Sequence, residues 1–406
     1  MTTNLNENPD IISGGEDLVD ELVGDFGQPP VENVPVRSFK PWHKPRKHYI
    51  RIYQWCVELR KLIAKLSLAG RSVSYLGLPG SDMLDIKTLH GVCENAGVKL
   101  RYLGFNGAGG NSDASETLIS DNELRSQGWE FIDHVSSRVV FDSFERVAAP
   151  TSLARKALIE KASFDVVNLD LCNCIARRCA VRAESTLSAL KVLMDIQHAR
   201  RGEPWLLFIT TRTVRDGVDP ELWARLCELV DRNLTNSEFH MIFGSVCLLA
   251  SGKKFSESEV SLDKGVFSKS FVVALGKWIL NVMKSGWTVN LTSVMTYTVA
   301  QEDGADMYSL SFWIERKSPP LSDSTGIAAS PAPQCNLDDD ETRLACKMVE
   351  AVSAARDADR ILATDQALNL KIRTKSSLMM EKARYDPELY GKWIDAGCPS
   401  REPDGL

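Results

Sequence analysis

The fold is decided late in the chain, by Trp287–Val299 (WTVNLTSVMTYTV) and Met307–Arg316 (MYSLSFWIER). Both stretches are rich in β-branched and aromatic residues, which suit a pleated, half-buried surface. The polar turn between them, with Glu302, Asp303 and Gly304, is too short for a parallel crossover, so the strands must run antiparallel. Upstream the pattern differs. Ser72–Gly77, Lys99–Phe105, Arg138–Phe141, Phe164–Leu171 and Trp205–Thr210 are short, nearly continuous apolar runs. Helical periodicity fills the intervals, notably at Thr151–Ala162 and Glu184–Ala199. Such strands separated by helices predict a parallel sheet covered on both faces. The expected fold class is α/β: a mostly parallel sheet with helices on both faces and a terminal antiparallel β-hairpin.

Composition sets the outer limits. With 406 residues, 44% hydrophobic and 25% charged, the chain is neither wholly disordered, nor collagen-like, nor a small disulfide scaffold. No charge-free apolar window approaches the ~18 residues of a membrane span, and Met1–Glu7 lacks the basic start and apolar core of a secretory signal. The 10 cysteines have no regular spacing, which predicts free thiols and a reducing, cytoplasmic setting.

The net charge of −6 conceals an asymmetry. Residues 1–36 carry Glu7, Asp10, Glu16, Asp17, Asp20, Glu21, Asp25 and Glu32 and no Lys or Arg, the composition of a disordered acidic tail. A second break, rich in Pro, Ser and Ala, spans residues 317–335 and reads as a flexible linker. The expected domains are the tail 1–36, an α/β domain over 37–316, the linker 317–335 and a small helical module over 336–406.

At this point the chain resembles a family. A Rossmann-like sheet closing in a β-hairpin is similar to the class I S-adenosylmethionine-dependent methyltransferases. The resemblance covers roughly 37–316 and rests on element order more than on signature residues. It sets Tyr75-Leu76-Gly77-Leu78-Pro79-Gly80 at the family's first motif, the loop after strand one that cradles the cofactor. Glycine there lets the backbone approach a ligand, and the following helix offers free N–H groups. By the same resemblance Phe105-Asn106 ends strand two, where the family carries a ribose-binding acid. Asn168-Leu169-Asp170-Leu171 ends strand four, among substrate-facing polar groups. The resemblance therefore implies S-adenosylmethionine as cofactor, held by Gly77, Gly80, Asp82 and Asn106, with Asp170 and Tyr49 facing the substrate. Ser81-Asp82 also reads as a plain helix cap. Sequences with a YLGLPG-type motif resemble bacterial methyltransferase-like proteins, some found alongside antiphage defence functions. Two function classes follow: a methyltransferase acting on nucleic acid or a small molecule, and a scaffold with a decayed cofactor loop serving as a subunit of a bacterial complex. Gly77 stands where the first motif usually has its acid, and Asn106 replaces the second acid, which favours the scaffold. The retained glycines favour the enzyme.

The remaining signals are local. Arg37–Arg51 carries Lys40, Lys44, Arg46 and Lys47 with Phe39, Trp42 and Tyr49 interleaved. Lys44, Arg46, Lys47 and Arg51 are the candidates for phosphate contact, and aromatic faces between them can stack on bases. The other reading is an arm that lies along its own domain, bringing Tyr49, Tyr53, Gln54 and Trp55 near a pocket. Cys172-x-Cys174 with Cys179 lacks a second ligand couple, so no metal site is expected. Thr210–Thr213, with Arg212, is a polar cluster at a strand end. No phosphate loop of the GxxxxGK type and no nucleophile elbow appears. The C-terminal helices read either as a docking module, for a partner or for the chain's own domain, or as a nucleic-acid-reading helix pair.

Overall fold

Ser72–Gly77 (β1), Lys99–Phe105 (β2), Arg138–Val140 (β3), Val166–Asp170 (β4), Trp205–Arg212 (β5), Trp287–Tyr297 (β6), Met307–Arg316 (β7) and Arg356–Asp357 (β8) form an 8-stranded sheet. Its order is β3-β2-β1-β4-β5-β7-β6-β8. The structure, a computed structural model, describes residues 37–68, 70–107, 111–126, 129–249, 253–258, 262–299, 304–317 and 337–399. The acidic segment 1–36, linker positions 318–335, and Glu302 and Asp303 of the hairpin turn lie outside the described residues. Two compact units divide the chain, Met1–Ser38 and Phe39–Leu406; of the first, only Arg37 and Ser38 are described.

β1 pairs in parallel with β2 and β4, β2 with β3, and β4 with β5, while β7 runs antiparallel to both β5 and β6. The mixed, Rossmann-like sheet and its closing hairpin are those the sequence predicts. The strand order reverses between β1 and β4, and open α/β sheets bind ligands beyond the carboxyl ends of their strands at such a point. Because β6 is parallel to β5, its last residue, Tyr297, reaches the same carboxyl edge.

Alternation along the strands feeds two cores. Leu76, Val167, Leu169, Leu207 and Ile209 enter one, with the helices Leu153–Lys161, Thr186–Arg200, Pro220–Asn233 and Lys264–Met283. Val73, Tyr75, Val166, Leu206 and Phe208 enter the other, with Cys56–Leu66 and Leu84–Ala96. Burying each such side chain is worth about 1.5–3 kcal/mol, so both faces must be covered. Lys264–Met283 is long and apolar enough to cross a membrane by length and composition, which a search for charge-free windows misses because Lys269 and Lys277 interrupt it. Within this structure 78% of its apolar window is buried, as a core helix requires.

Past residue 336 the chain returns to the sheet. Leu337–Ser353 packs on Lys264–Met283 and on β6. That helix ends at Ser353, and β8 follows it, pairing with Met295 and Thr296 of β6. The helices Ala358–Thr364 and Gln366–Lys382 then pack against Pro45–Ile50, and Pro387–Asp395 closes back on Gln366–Lys382.

Candidate ligand-binding site

The segment before β1 is one helical path with a defect. Pro45–Ile50 is α-helical, Arg51–Trp55 forms a π-helical turn, and Cys56–Leu66 resumes the α-helix. Pro45 stops the helix from extending backward, so Phe39–Lys44 folds over the carboxyl edge instead. Beneath it lies a cavity of about 270 Å³. Pro41, Trp42, Lys47 and Arg51 line one side; Leu78, Gly80, Asp82 and Asp85 line another. Asp170 and Cys172 come from the end of β4, and Tyr297 and Met307 from the hairpin.

The turn after β1 explains its own composition. A Cβ on Gly77 would lie 2.5 Å from the Tyr75 hydroxyl oxygen, so glycine is required there by the folded-over tyrosine. Around Gly80, by contrast, a Cβ would meet nothing within 4 Å, which leaves backbone open to the cavity. The Tyr75 hydroxyl donates to Asp85 and accepts from Asn168 Nδ2 at 3.1 Å. Burial pushes the Asp85 carboxyl above the ordinary aspartate value, against the pull of that tyrosine bond.

Asp82 does not cap the following helix. Leu84–Ala96 starts after Met83, whose φ of 50° takes the left-handed region, and it has no side-chain cap. The Asp82 carboxylate instead meets His43 Nε2 at 2.9 Å and accepts from the Tyr385 hydroxyl at 3.2 Å. Tyr390 donates to the His43 carbonyl at 2.5 Å. Arm, first loop and C-terminal helices are thereby tied at one buried point, with Phe39 stacked on Tyr385 and Trp393.

Of the residues singled out in the sequence, Gly80, Asp82, Asp170, Lys47 and Arg51 meet at this cavity. Lys47 donates to Asp170, and its ammonium lies over Trp55 at 5.1 Å and Tyr297 at 5.6 Å. Burial pulls Lys47 below its ordinary value, against the pull of Asp170. The others lie elsewhere. Gly77 sits behind the turn. Tyr49 is buried against Tyr53, its hydroxyl accepting from Arg356 at 2.6 Å. Arg46 donates to both oxygens of Asp359 at 3.1 Å, and Lys44 is half-buried. Asn106 donates to Thr117 Oγ1 at 2.6 Å and lines a shallower depression with Leu78, Pro79, Phe105 and Asp142. The turn Leu78–Gly80 thus stands between two depressions, and Leu78 belongs to both.

Tyr297 and Met307 were not legible as site residues, although the position of Tyr297 at a carboxyl strand end was a usable signal; Trp42, marked in the sequence as an aromatic of the basic run, lines the cavity. Arg212 pairs with Asp306 at 3.1 Å. Cys172 is exposed and Cys174 buried, and no group of three candidate metal ligands occurs among the described residues.

A family model described as PP_RS20740-like matches residues 36–395. No curated protein matches the chain. Among solved structures it is similar to an rRNA methylase from Streptococcus thermophilus, at 12% identity and a TM-score of 0.30, over 70% of this chain and 100% of that one. It is also similar to a SAM-dependent methyltransferase from Agrobacterium tumefaciens, at 10% identity and a TM-score of 0.31, over 64% of this chain and 61% of that one.

Proposed function

The chain belongs to the PP_RS20740-like family, and we propose that it is a methyltransferase-like protein that binds S-adenosylmethionine across the Leu78–Gly80 turn. The reading puts the methionine end in the deep cavity and the adenosine end over the depression at Phe105 and Asn106. The observation that carries it is the pair of depressions meeting at Leu78, beyond the point where the strand order reverses. The residues present fit such a group. Gly80 leaves its backbone open to close approach. Asp85 and Asp170 offer negative charge to an amine and a sulfonium, and Leu84–Ala96 points its N-terminus at the same space, suited to a carboxylate.

When bound, the cofactor supplies an electrophilic methyl group. The chain's own residues position and desolvate. Trp42, Tyr297 and Met307 exclude water from the cavity. Asp170, held by Lys47 at the end of β4, is the group placed to take the proton that an attacking N–H or O–H would release.

Titration calorimetry with S-adenosylmethionine and S-adenosylhomocysteine tests the reading. Micromolar binding is expected. Gly80→Trp places an indole where the backbone is open and is expected to weaken that binding about a hundredfold or more, ~3 kcal/mol, with the fold intact by circular dichroism. Unchanged affinity in the variant would move the site away from the turn. One observation favours a scaffold with no cofactor: β2 ends in an amide already bonded to Thr117, not in a free carboxylate for a ribose. The absence of both heat and a thermal shift with either ligand is the result expected of that alternative.

A further inference from the structure

Arg51 lines the cavity without an ion pair of its own among the described residues; the Asp170 and Asp85 carboxylates on the same walls act on its charge without bonding it. Lys47 has Asp170, and Arg46, just outside, has Asp359. Arg51 is 3% exposed, and its Nη1 donates only to the Trp42 carbonyl at 3.2 Å. Its Nε is buried without an acceptor. The indole Nε1 of Trp42, on the same wall, is also buried without an acceptor. A guanidinium stays charged in protein interiors, and donors left unfilled there are costly to bury unless an acceptor meets them. The backbone shows a matching departure: Arg51 opens the π-helical turn, and such bulges are frequent at functional sites.

We propose that Arg51 and Trp42 form an anion-binding end of this cavity, and that the second ligand, the methyl acceptor, is a small molecule bearing a carboxylate or phosphate. The size and closure of the site favour a small molecule over a strand. The cavity measures about 270 Å³ and is covered on one side by the arm. Its roof is pinned by Arg46 to Asp359 and by His43 to Asp82, so it forms a pocket under an arm and not a track along which a polymer runs. The word acceptor rests on the methyltransferase reading; the anion site does not.

The test uses the full chain and three variants, with thermal shift and calorimetry at matched ionic strength. Inorganic phosphate and benzoate are titrated separately, so that the two anion chemistries are told apart, and S-adenosylhomocysteine is titrated in parallel. A saturable stabilisation by phosphate or benzoate is expected in the wild type. Arg51→Met should weaken it about tenfold or more, and Arg51→Lys should restore part of it. Arg51→Met is examined first without anions, by circular dichroism and thermal melting, to establish that it folds. Should that variant not fold, Trp42→Phe, which deletes only the second donor, is expected to weaken the same anion. The proposal is overturned if neither anion stabilises the wild type, or if both variants bind them unchanged. It is also overturned if Arg51→Met lowers S-adenosylhomocysteine affinity as much as anion affinity, since the guanidinium then serves the cofactor. Arg51-dependent binding of a single-stranded oligonucleotide in place of the small anions would overturn it as well. A protein that takes the anion but no S-adenosylhomocysteine keeps the site and loses the methyl-transfer reading.

Discussion

Asp165→Ala is expected to destabilise the protein by about 3–5 kcal/mol, the usual cost of removing one partner of a buried ion pair. Asp165 lies just before β4, where the edges of three strands meet. Its Oδ1 accepts from Arg201 Nη2 at 2.8 Å, and its Oδ2 accepts from the Ser74 backbone N–H of β1 at 2.6 Å. Its backbone N–H donates to the Ser74 carbonyl, and its carbonyl accepts from Leu206 of β5. The two charged side chains are 7% and 5% exposed, so screening by water does not reduce the effect as it would at the surface. Alanine leaves Arg201 charged, buried and held only by the Glu203 and Pro204 carbonyls, and leaves the Ser74 N–H without its acceptor. Urea unfolding would measure the loss, with an unchanged slope confirming that only the native state is affected. The Asp165→Ala, Arg201→Met double variant should recover part of it, because the stranded charge is gone. A loss below about 0.5 kcal/mol in the single variant would mean that the pair is solvated.

The carboxyl-edge geometry was legible in the sequence because its elements are local. β1 and β2 fall on Ser72–Gly77 and Lys99–Phe105, the runs that the apolar pattern marks, and the hairpin follows from its composition. Gly80 and Asp170 are reached by counting to strand ends. What the sequence left ambiguous depends on partners far along the chain. Ser81-Asp82 before an apolar run is an ordinary cap signal, and only His43, 39 residues away, and Tyr385, 303 residues away, turn Asp82 elsewhere. The basic run shows the same limit. Spacing alone cannot say that Lys47 meets a carboxylate 123 residues on, or Arg46 one 313 residues on. The π-helical turn that aims Arg51 has no composition cue at all, since Arg51–Trp55 continues the helical pattern on either side.

Asp82→Ala is expected to loosen the arm and the C-terminal helices together, at a cost of about 3 kcal/mol, because two buried polar groups lose the acceptor they share. The effect should not be confined to stability. Asp82 lines the cavity, and His43 anchors the arm that contributes Trp42, Lys47 and Arg51 to it. Ligand binding should therefore weaken along with folding, since a loosened roof samples more conformations and presents a binding-competent cavity less often. Tyr385→Phe separates the contributions. It keeps the ring against Phe39 and His43 and deletes only the hydroxyl that reaches Asp82. Alone it should cost about 1 kcal/mol, and in the background of Asp82→Ala considerably less, a coupling of about 0.5 kcal/mol or more. Hydrogen exchange supplies the readout that a purely local effect would not move. Amides of Gln366–Lys382 and Pro387–Asp395 should exchange faster in Asp82→Ala, although they lie some 300 residues along the chain from the substitution. If exchange there is unchanged while stability falls, Asp82 supports only its own loop, and the C-terminal helices are held to the arm by their aromatic packing, the Tyr390–His43 bond and the Arg46–Asp359 pair.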